Sequence, residues 1–519
     1  MFKPFSGSPF WTRLRLPENT NHRKAPMNKP LLLALCLLLP AVARADDPAE
    51  ERRRLLDEGN RQTRQYRESG WLGGQDADVE NDGGYINIGG QIYAVGDSAE
   101  ELESALYYAV NQQQWHKAEQ FAARYAMLPQ HKPALLDLAA GLQARARGDY
   151  RLAAARLKRA AAAEPGNARI SLELARVYTE DNQNREAAAE FHRAVDIGLP
   201  EETRALVGQY QNELAKRRAW HGQISIGYGH NDNINQAVGG RQCVWQIAGM
   251  CLLERLLPEP VGSAMWQYSA TALRTIPLAG HHGLHLRGLA YGTRYRREDP
   301  QQTIAPDYSY HTTALYAGYD YADIRNHFAL LPYFEHDFRN RHTHYRAWGI
   351  DAEWTHTLSP RWRTSLRGGA KRHHYSGQNR RYFDDYSQYE AGLGAEWAAG
   401  PSWGLFANLD AVRKAYAEEA ASSREYAVRL GLYKMFGQTA YANLLLMHRR
   451  SRYDAAGFIS NGERRQDKQY TAVAALGFPR WQWHGIYPEL RFKHTVNRSN
   501  ADYYRYRQNE VLVNLRYRF

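Results

Sequence analysis

The chain ends on "NEVLVNLRYRF", in which Val511, Val513, Leu515, Tyr517 and Phe519 share one face while Asn514, Arg516 and Arg518 share the other. Side chains alternate along a strand, so this run separates an apolar medium from a polar one. The same period of two begins after Trp220 and holds to the terminus. In "WHGQISIGYGH", Ile224, Ile226 and Tyr228 oppose Gln223 and Ser225. In "RAWGIDAEWTH", Trp348, Ile350, Ala352 and Trp354 oppose Asp351 and Glu353, and in "RWRTSLRGGAK", Trp362, Leu366 and Ala370 oppose Arg363, Arg367 and Lys371. A soluble sandwich would bury its apolar face as a core, so alternation alone does not separate a sandwich from a barrel.

The connections separate them. About fourteen strands are expected, with links that alternate short and long, as in transmembrane barrels with tight periplasmic turns and larger external loops. The short set reads "LAGHHG", "ADIRNH", "LSPRW", "AAGPSW", "FGQT" and "WQWHG"; the long set includes "NINQAVGGRQCVWQIAGMCLLERLLPEPVGS", "REDPQQTIAPDY", "SGQNRRYFDDY", "EEAASSRE" and "YDAAGFISNGERRQDK". An even strand count brings both barrel ends to the short-turn side, which places the preceding segment in the periplasm and the long loops outside. Trp354, Trp362, Trp397, Trp403, Trp481 and Trp483 lie near short turns, as interfacial girdles require. Every amide in the hydrocarbon layer needs a partner, so the last strand is expected to pair with "GQISIGYGH" and close the sheet. Residues 220–519 are therefore expected to form a 14-stranded antiparallel transmembrane β-barrel.

Upstream, from 98 to 218, the pattern has helical spacing, with Ala-rich faces and breaks at "LPQHKP", "ARGDY", "AEPGN" and "IGLPEE". Aligning "PALLDLAAGLQARARGDYRLAAARLKRAAAAEP" with "ARISLELARVYTEDNQNREAAAEFHRAVDIGLP" superposes Ala140 on Ala175, Ala153 on Ala188 and Pro165 on Pro200, close to the tetratricopeptide period of about 34 residues. A less regular unit precedes these hairpins and a closing helix, Glu201 to Arg218, follows. Stacked helix hairpins present a concave surface that binds polypeptide; the alternative is a spacer that binds nothing. The fold class is thus α+β and multidomain, with helical tetratricopeptide-like repeats before a barrel. Residues 46–97 read as a polar leader ending in a small hairpin, "YINIGGQIYAVG".

"MNKPLLLALCLLLPAVARADD" has a Lys-bearing head, an apolar core of about a dozen residues and a small-x-small ending at Ala43 and Ala45, as secretory signals do. Residues 27–45 are read as a signal peptide and 1–26 as an upstream extension; a membrane-spanning helix is disfavoured because the core is too short. Cys36, preceded by Leu35, lies inside that core and is not read as a lipid-attachment cysteine. Cys243 and Cys251 remain, in a segment read as irregular, and in an oxidising compartment they are expected to form a local disulfide. Metal binding by two lone thiols is the weaker alternative, because no His pair or second Cys pair stands at zinc-ligand spacing.

The net charge of +12 raises a nucleic-acid reading, which is set aside because the basic residues are dispersed among aromatics on alternating strands. No HExxH, GxSxG, GxxxxGK or dinucleotide fingerprint occurs. The inward carboxylates Asp351, Glu353, Glu335, Asp337 and Asp410 could be arranged as acid/base pairs, but are expected to hydrate the interior or to pair with Arg363, Arg367, Arg491 and Lys493. His342 and His344 in "RHTHYR" and His373 and His374 in "KRHHY" end neighbouring strands; a metal or haem site there is weighed against solvated loop histidines, and the latter are favoured. No catalytic residue, cofactor or metal ligand set is assigned.

"GQISIGYGHNDNINQA", from Gly222 to Ala237, resembles the opening strand of the surface lipoprotein assembly modifiers, the Slam proteins of type XI secretion. "AVNQQQW", "ARGDY", "LELARVYTEDNQNREA" and the "INIGGQIYAVG" hairpin are similar to that family's N-terminal domain. The resemblance runs from about Asn81 to Phe519. It implies an outer-membrane translocon of a Gram-negative bacterium that moves a client lipoprotein, or a soluble haem- or metal-acquisition protein, to the cell surface. The repeats would receive the client. Other implied partners are outer-membrane lipid, the barrel-assembly machinery during biogenesis, and periplasmic chaperones; nucleic acid is not one. Tyr517 and Phe519 are expected to be the terminal signal for barrel assembly. The competing reading is an exopolysaccharide export porin, which also joins periplasmic repeats to a barrel but with longer arrays; a passive porin with an accessory domain is a third.

Overall fold

The structure, a computed structural model, describes residues 85–88, 91–247, 250–296, 308–339, 342–381, 383–400, 402–457, 460 and 462–519. The expected upstream extension, the signal peptide with Cys36, and most of the polar leader lie outside these residues. The described chain opens on a hairpin, β1 (Tyr85–Ile88) with β2 (Gln91–Ala94). Arg124 then ties down the exit from β2, donating to Val95 O and Gly96 O and pairing with Asp97.

Seven helices follow among the described residues: α1 (Ala99–Asn111), α2 (Trp115–Ala126), α3 (Pro133–Ala146), α4 (Tyr150–Ala163), α5 (Ala168–Glu180), α6 (Asn184–Ile197) and α7 (Glu201–Arg218). Their starts are set locally. Ser98 accepts from Glu101 N, Asp149 from Leu152 N and Asn167 from Arg169 N, and Pro133 supplies the first turn of α3. Gln113, Gly148 and Asn182, each with positive φ, reverse the chain after α1, α3 and α5. In all three turns an amide bonds back to the helix: Gln114 N to Ala109 O at 2.8 Å, Asp149 N to Ala144 O at 2.9 Å, and Gln183 N to Tyr178 O at 2.8 Å. The unit read as less regular therefore has the same turn as the two that align in sequence. Leu102, Leu106, Phe121, Tyr125, Leu157, Ile170, Leu174 and Phe191 form a continuous buried core across the hairpins.

From His221 onward the described elements are strands, apart from short 3-10 turns in the connections. β3 (His221–Asn231) is followed by β4 (Arg241–Ile247) and β5 (Met250–Leu256), which form their own two-stranded hairpin. The sequence had read this cysteine-bearing stretch as irregular. The correction has a physical basis: Arg241↔Leu256 through Ile247↔Met250 pair across a two-residue connection, so backbone polar groups of a long loop find partners within it. Next come β6 (Ser263–Pro277), β7 (His282–Tyr295), β8 (Tyr310–Ala322), β9 (Asn326–Arg339), β10 (His342–Ser359) and β11 (Trp362–Tyr375). β12 (Tyr386–Gly400), β13 (Trp403–Ala415), β14 (Ser423–Phe436), β15 (Ala440–Ala456), β16 (Arg464–Gly477), β17 (Ile486–Ser499) and β18 (Tyr506–Arg518) complete the set.

β3 and β6 to β18 make a closed, 14-stranded antiparallel barrel in which β18 pairs with β3, from Glu510↔Asn231 to Arg518↔Gln223. Closure leaves no edge to expose amides to lipid. Alternation separates the faces: Ile224, Ile226, Tyr228, Trp348, Leu366, Val511, Val513 and Leu515 are exposed on the outside, while Gln223, Glu335, Lys371, Gln469, Thr495 and Asn514 are buried inside. Leu512 is an apolar exception on the inner face. Trp362, Trp397 and Trp403 contact one another at the periplasmic rim, with ring centroids 6.1 and 5.7 Å apart. Among the described residues no helix is long and apolar enough to cross a membrane; the apolar outward face of the closed barrel is what marks the strands as membrane-crossing. This is an outer-membrane barrel with its helical domain in the periplasm. The alternation of lengths fails in two places: β9 and β10, joined at the external rim, are separated by two residues, and the periplasmic connection of eight residues from β16 to β17 is longer than the external ones of seven and six that flank it.

Candidate functional site

The candidate site comprises the barrel lumen and the helical domain that docks on its periplasmic turns. Burial of inward residues changes along the barrel axis. On β11, Lys371, His373 and Tyr375 toward the external rim are buried, whereas Arg363, Ser365 and Arg367 toward the periplasm are only partly so. On β10, Tyr345 and Ala347 are buried and Asp351, Glu353 and Thr355 are partly buried; on β12, Tyr386 and Gln388 contrast with Gly394, Glu396 and Ala398. This side of the lumen is filled at its external end and wider toward the periplasm.

The filling is aromatic. His373 stacks on Tyr386 at 4.2 Å, Tyr386 on Tyr416 at 4.3 Å, and Tyr375 on Phe383 at 5.0 Å. Phe383 comes from the connection between β11 and β12, which is fixed to the rim by Ser376 Oγ donating to Thr343 O at 2.6 Å and Asn379 Nδ2 at 3.2 Å. On the opposite side Arg465 pairs with Asp467 and lies 3.2 Å from the Tyr504 ring centroid. The histidines expected to be solvated divide: His342 and His374 are exposed, but His344 and His373 are buried among rings. Stacking against Tyr and Phe replaces the water that the sequence reading assumed. Among the described residues no group of three His, Cys, Asp or Glu side chains could hold a metal ion.

Inward charges are matched across strands. Asp410 receives Arg367 and Arg429 at 2.9 Å each. Glu335 faces Lys371 at 3.6 Å and accepts from Tyr345 Oη at 2.7 Å, Asp337 takes Arg339 and Thr312, and Asp351 faces Arg287 at 3.9 Å. Of the remaining cations, Arg363 faces Glu396, Lys493 faces Glu510, and Arg491 donates to Gln267. Glu489 on β17 gathers Tyr441 of β15 and Arg516 of β18, and Arg516 reaches Gln223 of β3 at 2.7 Å. That chain of bonds spans the closing seam.

The "NDNINQ" stretch caps the same seam from outside. Asp232 accepts from Asn509 N at 2.7 Å, Asn233 Nδ2 donates to Arg507 O and to Ala237 O at 2.8 Å, and Gln508 Nε2 donates to Asn233 O. Asn235 bonds in the other direction, to Glu259 O and Val261 N. Asn233 is buried because it satisfies backbone groups where β3 leaves the sheet, while Asp232 stays exposed. The loop beyond them holds the bonded Cys243–Cys251 pair, with an S–S distance of 2.02 Å. Tyr517 and Phe519 stack with centroids 6.0 Å apart at the periplasmic end of the seam.

Sequence reasoning did not find the joint between the domains. The α5–α6 turn meets two periplasmic turns of the barrel: Asp181 Oδ2 lies 2.8 Å from His281 Nε2, Glu186 Oε1 accepts from Gly280 N at 2.8 Å, and Asn182 Nδ2 donates to Asp323 O at 3.0 Å. Arg218 O, at the end of α7, accepts from Arg274 at 3.0 Å. The bond to Asp181 holds the His281 imidazole above its ordinary value, against the opposing effect of burial. Burial acts to raise Asp323, but the amides of Asn326 and Arg325 outweigh it and hold its carboxyl below the usual range. Polar residues in short turns are common, so only the three-dimensional match of Asp181 to His281 marks them as a docking pair.

Residues 220–519 match the family model described as surface lipoprotein assembly modifier, and residues 94–191 match the model for the N-terminal repeats of the same family. The chain is 29% identical over 515 residues to the hemophilin secretion modulator of Acinetobacter baumannii, covering 95% of this chain and 100% of that protein. It is 24% identical to surface lipoprotein assembly modifier 2 of Neisseria meningitidis serogroup B, over 85% of this chain and 90% of that one. The surface lipoprotein assembly modifier of Moraxella catarrhalis is 23% identical, over 80% of each.

Proposed function

The chain belongs to the surface lipoprotein assembly modifier family, and from that premise we propose that it is the outer-membrane translocon for a surface lipoprotein or a related soluble haem- or metal-acquisition protein. The observation that carries this reading is the joint: the repeats are hydrogen-bonded to the periplasmic turns, beneath a lumen whose β10–β12 side is less tightly packed toward the periplasm and filled at the external end. A client received by the repeats is thereby presented at the entrance.

Lumen chemistry suits passage rather than capture. Its charges are largely satisfied by one another, so a passing polypeptide meets a wetted polar wall with few unpaired charges to hold it. Passage requires the Phe383 connection and its aromatic neighbours to move aside. Catalysis has no part in this reading: the inward carboxylates Asp410, Glu335 and Asp351 are engaged with cations and hydroxyls. No phosphate-cradling motif is present in the chain, so the driving force comes from client folding or from binding partners outside the membrane. Periplasmic chaperones would deliver the client, and the barrel-assembly machinery would read Tyr517 and Phe519 during biogenesis.

The test is surface accessibility of a candidate client, by protease or antibody in intact cells, with and without this protein. The expected outcome is loss of surface exposure while total client persists in the cell. Unchanged exposure would overturn the proposal.

A further inference from the structure

Along the outward face of β14 to β18 the side chains change character at one level. The outward positions of β14 run Leu432, Leu430, Val428 and Tyr426, then Arg424; those of β15 run Leu444, Leu446 and His448, then Arg450 and Arg452. β16 reaches Lys468 beyond Tyr470, β17 reaches Arg498, and β18 reaches Arg507. Strand pairing puts these six cations together: Arg424 opposite Arg452, Arg450 opposite Lys468, and Lys468 opposite Arg498. Arg507 lies opposite Val496, one outward position from Arg498.

Directly opposed residues have Cβ atoms about 4.5–5.5 Å apart, and like charges at that distance destabilise a sheet. The one carboxylate on this face of the strands, Asp454, pairs with Arg413, which lies opposite Arg424, at 2.5 Å, and also feels Arg424 and Arg464, so a single negative charge is shared among several cations. Among the described residues, no carboxylate lies within ion-pair distance of Arg450, Arg452, Lys468, Arg498 or Arg507; Arg498 lies 5.7 Å over the Tyr470 ring, and the Nε of Arg450 is buried without a hydrogen-bond acceptor. At the periplasmic ends of the same strands the outward residues are Phe436, Ala440, Leu476, Ile486 and Tyr517, with Lys434 the one cation. The row is thus confined to the external ends of these strands.

The geometry points to a binding site on this face for the phosphate groups of an anionic glycolipid of the outer leaflet. Guanidinium forks match phosphate oxygens two at a time, and a doubly charged headgroup answers several opposed cations at once. Val428, Leu446, Ala472 and Phe492 continue the same face inward and cover the acyl chains. A soluble polyanion would use the cations but not this apolar continuation. The bound lipid fixes the arc of strands that leads up to the closing seam.

Full-length protein in neutral detergent, titrated with fluorescent diphosphorylated lipid A, tests the site. A basic residue beside anionic lipid carries roughly a fivefold weight, so each of Arg450→Gln, Lys468→Gln and Arg498→Gln should weaken binding about fivefold and the triple variant about a hundredfold. Arg294→Gln with Arg372→Gln, exposed outward cations on β7 and β11, should leave affinity within about twofold. Heat-dependent gel mobility scores folding; if the triple variant does not assemble, the single variants decide. The site is overturned if the folded variants bind as the parent does, or if dephosphorylated lipid A binds equally well. Displacement by inorganic phosphate at matching concentration would also overturn it, as the mark of a simple anion site.

Discussion

Phe519 closes the barrel in two ways. Its amide donates to Gly222 O at 3.1 Å and its carbonyl accepts from Gly222 N at 3.0 Å, so the terminal residue belongs to the β18–β3 ladder. Its ring occupies the space beside Gly222, where a Cβ would lie 2.6 Å from the Phe519 Cζ and 2.2 Å from Thr271 O. Phe519→Ala should therefore lower the amount of heat-modifiable, folded barrel, and Gly222→Val should do the same through a clash with the backbone of β6. Client range should not change in the protein that does assemble; full barrel levels with an altered client range would contradict this. Asn233 is a second residue whose weight exceeds its size. It is buried and bonds to Ala237 N, Ala237 O and Arg507 O. Replacing it with Ala strands those groups, at a cost of about 1–3 kcal/mol. The expected outcome is faster protease cleavage of the first external loop in intact cells with barrel mobility unchanged.

At the scale of elements, the repeat hairpins depend on close helix approach. Gly141 on α3 faces α4 so tightly that a Cβ would sit 2.8 Å from Leu157 Cγ. Gly141→Val should destabilise the helical domain by about 1–3 kcal/mol through overpacking. In the full chain, the helical circular-dichroism signal should melt at a lower temperature while the barrel transition stays in place. Between hairpins, Arg145 on α3 bonds to Glu180 at the end of α5, so the domain stacks by polar as well as apolar contacts. The strands show a different economy. Each crosses the bilayer with its apolar residues outside, so the barrel has little hydrocarbon core of its own and is held by backbone ladders and inward charge pairs.

At the scale of the whole molecule, docking of the repeats onto the barrel is polar and carries a titratable group. Asp181 and Asp323 face His281, the Tyr321 ring lies 5.5 Å away, and Glu186 holds the neighbouring Gly280 amide. The docked imidazole titrates above its ordinary value of 6.5. Protonation therefore favours docking: its contribution is complete below the ordinary value and is lost as pH rises through the raised one. Energy transfer between dyes on the repeats and on a periplasmic turn should report closer association at pH about 6 than at about 8. His281→Gln should abolish that dependence. A dependence that survives the substitution would assign the effect to another group.

The amino-acid sequence by itself determined the two periods, and with them the two architectures. Alternation after Trp220 specified which residues meet lipid, because side-chain direction along a strand is fixed by the backbone, and alternating loop lengths specified which end faces the periplasm. The helix breaks and Ala-rich faces located the repeats, the first only as a less regular unit, because its side chains do not align with the others; that it shares their left-handed turn, at Gln113, is visible only in the structure. The hairpin inside the first external loop was not legible, because short strands that pair only with each other leave no long alternation to read. His344 and His373 looked like surface residues because burial at the rim depends on a connection, carrying Phe383, that returns over them. Tertiary structure alone decided the lumen's gradient of packing, the seam bonds of Asp232, Asn233 and Arg516, the Asp181–His281 joint, and the row of outward cations. Each of these is a meeting of residues far apart in the chain, and neither pattern nor composition carries the register that brings them together.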